Sequence, residues 1–242
     1  MSIQTILDSY KNILGDLDTA TSKVYASAPE LPCKNKCFDC CKQLFPITFV
    51  EAYYLSKGIH ETMPAAQLEE RVRTARAIQE KITQGEPLQF EKRNVDRVTA
   101  LNTHAEFARF LYSVESDCPA LDPKNPAGAC TVYEFRNHDC RTMGASVDMS
   151  SREVLGCHRF SSLGRSIPKL MNFNYRYQEK MSLDAELIAA VTDGKFTQNI
   201  YYMTTLCTPF LKDFTKENWG EFFGAKLADT INPESYQVVI DA

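Results

Sequence analysis

Eight of the nine cysteines in this chain fall into two compact sets, and thiols at that density constrain the fold more than any other feature. The first set is Cys33, Cys37, Cys40 and Cys41, in CKNKCFDCC. The second is Cys118, Cys130 and Cys140, in CPALDPKNPAGACTVYEFRNHDCR, with Cys157 trailing in GCHRF. Sulfurs packed so closely bind metal, form disulfides or carry redox chemistry. Compartment narrows the choice. The opening MSIQTILDSYKNILGDLD carries Asp8, Lys11, Asp16 and Asp18, which interrupt any apolar run of signal-peptide type. No window approaches the roughly 18–20 apolar residues that a membrane span needs. A cytoplasmic protein with no membrane partner is the expectation. In a reducing cytosol lasting disulfides are rare, and clustered cysteines mark metal binding or catalysis instead.

With 242 residues, 44% of them hydrophobic and 24% charged, the chain can build its core without staples, and a single domain over 1–242 is expected. The net charge of −4 excludes a general nucleic-acid surface, which needs a basic excess. Ile3, Ile6, Leu7, Tyr10, Ile13, Leu14 and Leu17 recur at helical spacing, predicting an amphipathic helix over 3–26. Thr48 and Glu51 form a capping-box pair that starts a short helix to about Lys57, with Gly58 as its stop. Pro64 opens a third helix whose stripe runs through Leu68, Val72, Ala75, Ile78 and Ile82, its outer face a solvated mix of Glu and Arg. A fourth helix covers 103–114. Pro, Gly, Asn and Asp then crowd residues 118–157, predicting loop and turn with one short strand at Thr131–Tyr133. Further helices are expected at 168–181, 183–192, 197–211 and 216–228, and a terminal strand at Tyr236–Ile240. The fold class is thus mainly α: helices around two irregular Cys-rich metal-binding loops, with few short strands. The cysteine-cluster region spans 30–160, and 165–242 is a helical C-terminal part. So long a stretch without regular structure is uncommon unless something orders it, and metal–thiolate bonds supply that order.

The spacings suit chelation. Three residues separate Cys33 from Cys37 and two separate Cys37 from Cys40, so one tight loop can turn several sulfurs to a single centre. Cys40 and Cys41 are adjacent, and neighbouring side chains diverge by about 100° on a helix. Service to different centres, or a supporting role for one of the two, is the easier arrangement. Eight thiolates complete two four-ligand sites, or one site with the remainder free. Four thiolates leave either zinc or an oxidised [4Fe–4S] cluster anionic, so Lys34, Lys36, Lys42, Arg136 and Arg141 are candidates to offset the charge by attraction and N–H···S contacts.

The CxxxCxxCC loop followed by Cys118, Pro119, Leu121, Cys130, Tyr133, Arg136, Cys140 and Arg141 resembles the YkgJ-like cysteine-cluster family, a zinc- or iron-chelating domain. Pro46, Thr48, Glu51 and Ala52 take the places of that family's helix start. Two departures stand out: an extra residue lies between Cys33 and Cys37, and Asn137 replaces a Pro, which loosens a turn without removing a ligand. The resemblance covers about residues 30–160. It implies a metal ion as partner, zinc or iron including a [4Fe–4S] cluster, held by Cys33, Cys37, Cys40, Cys41, Cys118, Cys130, Cys140 and Cys157. The flagellin lysine N-methylases share the cysteine pattern, so iron–sulfur-dependent redox or methyl transfer is the alternative function. No residue of this chain supports that chemistry independently.

Other readings are weaker. CxxxCxxC is also the cluster loop of radical S-adenosylmethionine enzymes, but here a helix precedes the loop and Asp39 stands where those enzymes carry an aromatic. Cys37 and Cys40 have thiol-redox spacing without a thioredoxin-like βαβ setting. His158 and His138 neighbour the cysteines and read as polar loop residues sooner than ligands; His60 and His104 read as surface or helix-flank residues. Cys207, on an apolar stretch expected to be helical, reads as a buried free cysteine. No nucleophile elbow, P-loop, dinucleotide fingerprint or HExxH motif is present, so no hydrolytic mechanism is indicated.

Overall fold

The computed structural model describes residues 1–28, 38–84, 94–95, 97–122, 124, 129–148, 153–154, 170–172, 174–196, 200–226 and 236–241. Cys33, Cys37, Cys157 and His158 lie outside them, as do Lys34 and Lys36. Over the described residues the chain is mainly helical, with few short strands, as its apolar spacing predicts. No helix among them is long and apolar enough to cross a membrane.

Helix α1 (Ile3–Ser27) opens on Ser2, whose Oγ accepts the Thr5 N–H at 3.2 Å. Its stripe of Ile6, Tyr10, Ile13, Leu14 and Leu17 is buried. Strand β1 (Pro46–Thr48) leads into helix α2 (Phe49–Thr62), which starts with the expected capping box. The helix does not stop at Gly58 but runs on to Thr62. Gly58 serves packing instead, because a Cβ there would run into the ring of Phe135. Helix α3 (Ala65–Gln84) follows Pro64 and buries Ala75, Ile78 and Ile82. Arg71, expected on its solvated face, is buried too, because its guanidinium donates to the carbonyl of Leu121. Strand β2 (Asn94–Val95) precedes helix α4 (Arg97–Ser113), which sends Phe107 and Leu111 inward.

The second cysteine segment is built of short pieces rather than loop alone. Strands β3 (Leu121–Asp122) and β4 (Ala129–Cys130) pair antiparallel. The strand expected at Thr131–Tyr133 is absent, since pairing ends at Cys130 and Tyr133–Phe135 forms a 3₁₀ turn. Helix α5 (His138–Thr142), not foreseen, is capped by Asn137. Strands β5 (Ser146–Asp148), β6 (Glu153–Val154) and β7 (Met171–Asn172) form a small sheet in the order β6-β5-β7.

The C-terminal part departs furthest from expectation. The two helices predicted at 168–181 and 183–192 are one, α6 (Tyr177–Val191), because Ser182 stays in the helix and returns its hydroxyl to the carbonyl of Gln178. Where a helix was expected from 197, strand β8 (Ile200–Thr205) runs instead, followed by the short helix α7 (Thr208–Leu211). The segment IYYMTT is rich in aromatic and β-branched residues, and a run buried on both faces has no period by which to separate strand from helix. Helix α8 (Trp219–Lys226) and the expected terminal strand, β9 (Tyr236–Asp241), complete the order. The main sheet is β1-β8-β9-β2, with β8 parallel to β9 and antiparallel to β1. Against it Phe49, Tyr202, Phe214 and Trp219 cluster, with Phe49 edge-on to Trp219 at 4.8 Å and to Tyr202 at 5.1 Å. Each such pair is worth about 0.5–1.5 kcal/mol beyond its buried area. Helices α1 and α2 pack on α6, and α5 on α1, so the second cysteine segment is seated on the helical body.

Candidate metal centre

Five of the six described cysteines, Cys40, Cys41, Cys118, Cys130 and Cys140, line one cavity of about 370 Å³. Its other walls are mostly apolar, from Phe38, Leu55, Val132, Leu206 and Phe210, with Arg136 and Asn137 supplying polar groups. Cys40 and Cys41 sit on a 3₁₀ turn, Asp39–Lys42. Adjacency predicted divergence, yet both line the same cavity. The two cysteine sets are stitched by backbone: the N–H of Cys118 donates to the carbonyl of Cys41. Cys130 enters from the β3–β4 pair, opposite Leu121. Cys140 enters from α5, where the Asn137 side-chain oxygen accepts its N–H at 3.0 Å.

Helix α5 is itself held by a carboxylate. Glu51 Oε1 accepts the N–H of His138 at 3.2 Å, while Oε2 accepts from Thr48 N and Oγ1 at 2.9 Å each and from Lys180 Nζ at 3.2 Å. Glu51 and Lys180 are each only 2% exposed. Asp184, one turn beyond Lys180 on α6, accepts the Val50 N–H at 2.6 Å. Sequence reasoning found Glu51 as a cap and missed Lys180 as its partner and Asp184 as the acceptor of the Val50 N–H. The available signal was a Lys and an Asp four residues apart, on the face of α6 that also carries Leu183, Leu187 and Ile188.

Charge in the cavity is unbalanced among the thiols. A hydrogen bond from Cys41 lowers Cys40 to about 7, with help from Arg136, and the same bond holds Cys41 far above the ordinary thiol range. Burial pushes Cys118, Cys130 and Cys140 up. Arg136 lines the cavity, stacked 3.7 Å over the ring of Tyr133, and draws Cys40, Cys130 and Cys140 downward. Arg141 does not reach the sulfurs in the expected way. Its guanidinium donates to the carbonyls of Arg136 and Glu134 and to Asp18 on α1, so it ties loop to helix and acts on Cys130 only through its field.

The described histidines do not join the sulfurs. Both ring nitrogens of buried His138 have partners, Nδ1 near Asp139 at 3.3 Å and Nε2 near the Tyr175 carbonyl at 3.2 Å. His60 Nε2 meets the Pro209 carbonyl at 3.2 Å. His104 is half-buried rather than at the surface, and burial lowers its pKa. Cys207 is fully buried as expected, though it follows strand β8 instead of lying within a helix, and burial raises it to about 12.

As the side chains stand, no three His, Cys, Asp or Glu groups among the described residues are drawn together as a metal-holding set. The donor chemistry nonetheless suits a thiophilic metal: five sulfurs around one cavity, a guanidinium at its wall, and a buried amide nitrogen, Asn137 Nδ2, with no hydrogen-bond partner among the described residues. Set beside known proteins, the chain matches no protein-family model, no curated protein and no solved structure.

Proposed function

We propose that this chain is a Cys-ligated metal-binding protein of the YkgJ-like type, working in the cytoplasm with zinc or iron. The observation that carries the reading is the convergence of Cys40, Cys41, Cys118, Cys130 and Cys140, from both cysteine sets, on one cavity. These five are the donors, with Cys33, Cys37 and Cys157 as further candidates. Burial holds Cys118, Cys130 and Cys140 protonated. A bound cation would deprotonate them, and its binding free energy would then contribute to folding.

The cavity volume favours a second, narrower reading, an iron–sulfur centre serving redox or methyl-transfer chemistry. A single zinc ion draws its sulfurs to about 2.3 Å and needs little space, whereas five sulfurs around about 370 Å³ leave room for a polynuclear group. A closed thiolate site of either kind holds the fold, and an iron-bearing one also carries electrons. Anaerobic purification with metal and acid-labile sulfide analysis separates the readings. Stoichiometric zinc in colourless protein supports the structural site, and iron with sulfide supports the cluster. Metal-free protein with its cysteines paired as disulfides would defeat both.

A further inference from the structure

Asn137 is 2% exposed, lines the sulfur cavity and uses one end of its amide to cap α5, its Oδ1 accepting the Cys140 N–H at 3.0 Å. That bond decides which end of the carboxamide is oxygen, because only the oxygen can accept. The other end, Nδ2, is buried with no hydrogen-bond partner among the described residues. Buried donors are nearly always satisfied, so an orphaned one beside five sulfurs marks a missing acceptor. Metal-bound thiolates are such acceptors, and hydrogen bonds to ligand atoms tune metal sites.

We propose that Asn137 is a positioning residue for the metal centre, donating an N–H···S hydrogen bond from Nδ2 to a metal-bound sulfur of the cavity while its Oδ1 holds Cys140 in place. This rests on the metal-binding reading above. One side chain then couples the start of α5 to the charge of the centre: the oxygen orders the ligand's backbone and the nitrogen stabilises anionic sulfur. Arg136, next in sequence, adds its charge at the same wall.

Asn137→Ser tests this, because serine caps a helix about as well as asparagine and is neutral, but lacks the amide. Cobalt(II) is titrated anaerobically into the metal-free full chain, in competition with a chelator, and the sulfur-to-cobalt charge-transfer band is recorded. The expected result is about tenfold weaker cobalt retention and a shifted band, with the thermal midpoint of the metal-free protein little changed. Asn137→Ala should lose retention to the same degree and, lacking the cap, lower the midpoint as well. Wild-type retention and an unshifted band in Asn137→Ser would overturn the proposal and leave metal binding standing. So would a loss confined to Asn137→Ala that tracks its midpoint. A wild-type chain that takes up no cobalt, zinc or iron overturns the metal reading, and this inference with it.

Discussion

Two polar interiors meet at helix α5, and they are built on opposite principles. On one side the Glu51 carboxylate answers Lys180, Thr48 and the first amide of α5, a set that brings its own counter-charge. On the other side five thiols face a common space with one guanidinium for company, four of them raised and Cys40 alone lowered. An interior whose charges are matched within the chain anchors the fold. One built from like groups around a space gains most from an added cation. On the proposed reading the first region is structural and the second binds metal, and α5 belongs to both, through the His138 N–H and through Cys140.

The largest effect should come from breaking the matched side. Lys180→Met leaves Glu51 buried without its cation and should cost about 3–5 kcal/mol in urea unfolding, with metal or without it. Adding Glu51→Gln should recover part of that loss, since the uncompensated charge is then gone. On the sulfur side the pattern reverses. Cys118→Ser or Cys140→Ser should leave metal-free stability within about 1 kcal/mol of wild type, yet abolish most bound metal and the stabilisation that a chelator removes. Metal retention should also weaken steadily as pH falls, across the neutral range and below, because binding displaces protons from thiols that burial keeps protonated.

Gly58→Ala probes the joint between the regions, pressing a methyl group of α2 into Phe135 just ahead of α5. About 1–3 kcal/mol of destabilisation is expected, with weaker metal retention, because the displaced turn carries Tyr133 and Arg136. A last effect, spread over a range of pH, concerns Asp184, which burial pushes up to about 7 while the Val50 N–H and Lys180 pull it back. Between about pH 4 and 7 the folded state holds a proton that the unfolded chain has released, so stability from this group falls as pH rises, by up to about 1.4 kcal/mol per pH unit. Asp184→Asn should flatten that slope in metal-free protein and keep an acceptor for Val50. An unchanged slope would mean that the group titrates near its ordinary range.

Legibility in the sequence followed how local each cause was. The stripe of α1, the box of Thr48 and Glu51 and the Pro64 start act within a few residues, and each stands where its pattern put it. Strand β8 was misread because its neighbours β1 and β9 come from distant segments, and only their ladders choose extended over helical backbone. Gly58 was misread as a stop because its reason, the ring of Phe135, is 77 residues away along the chain. The cysteine sets were visible as a count and a spacing. That Cys40 and Cys41 line one cavity despite their adjacency was not.

By itself the sequence determined a mainly helical chain, its amphipathic stripes and caps, and a concentration of thiols in two compact sets. The tertiary structure decided which sulfurs share a space, that Arg141 faces loop carbonyls and Asp18 rather than sulfur, and that Glu51 is the hinge between cap, lysine and α5. The physical reason is reach. Periodicity and capping act over one or two helical turns, whereas the partners of a buried charge or thiol are fixed by packing between segments far apart along the chain.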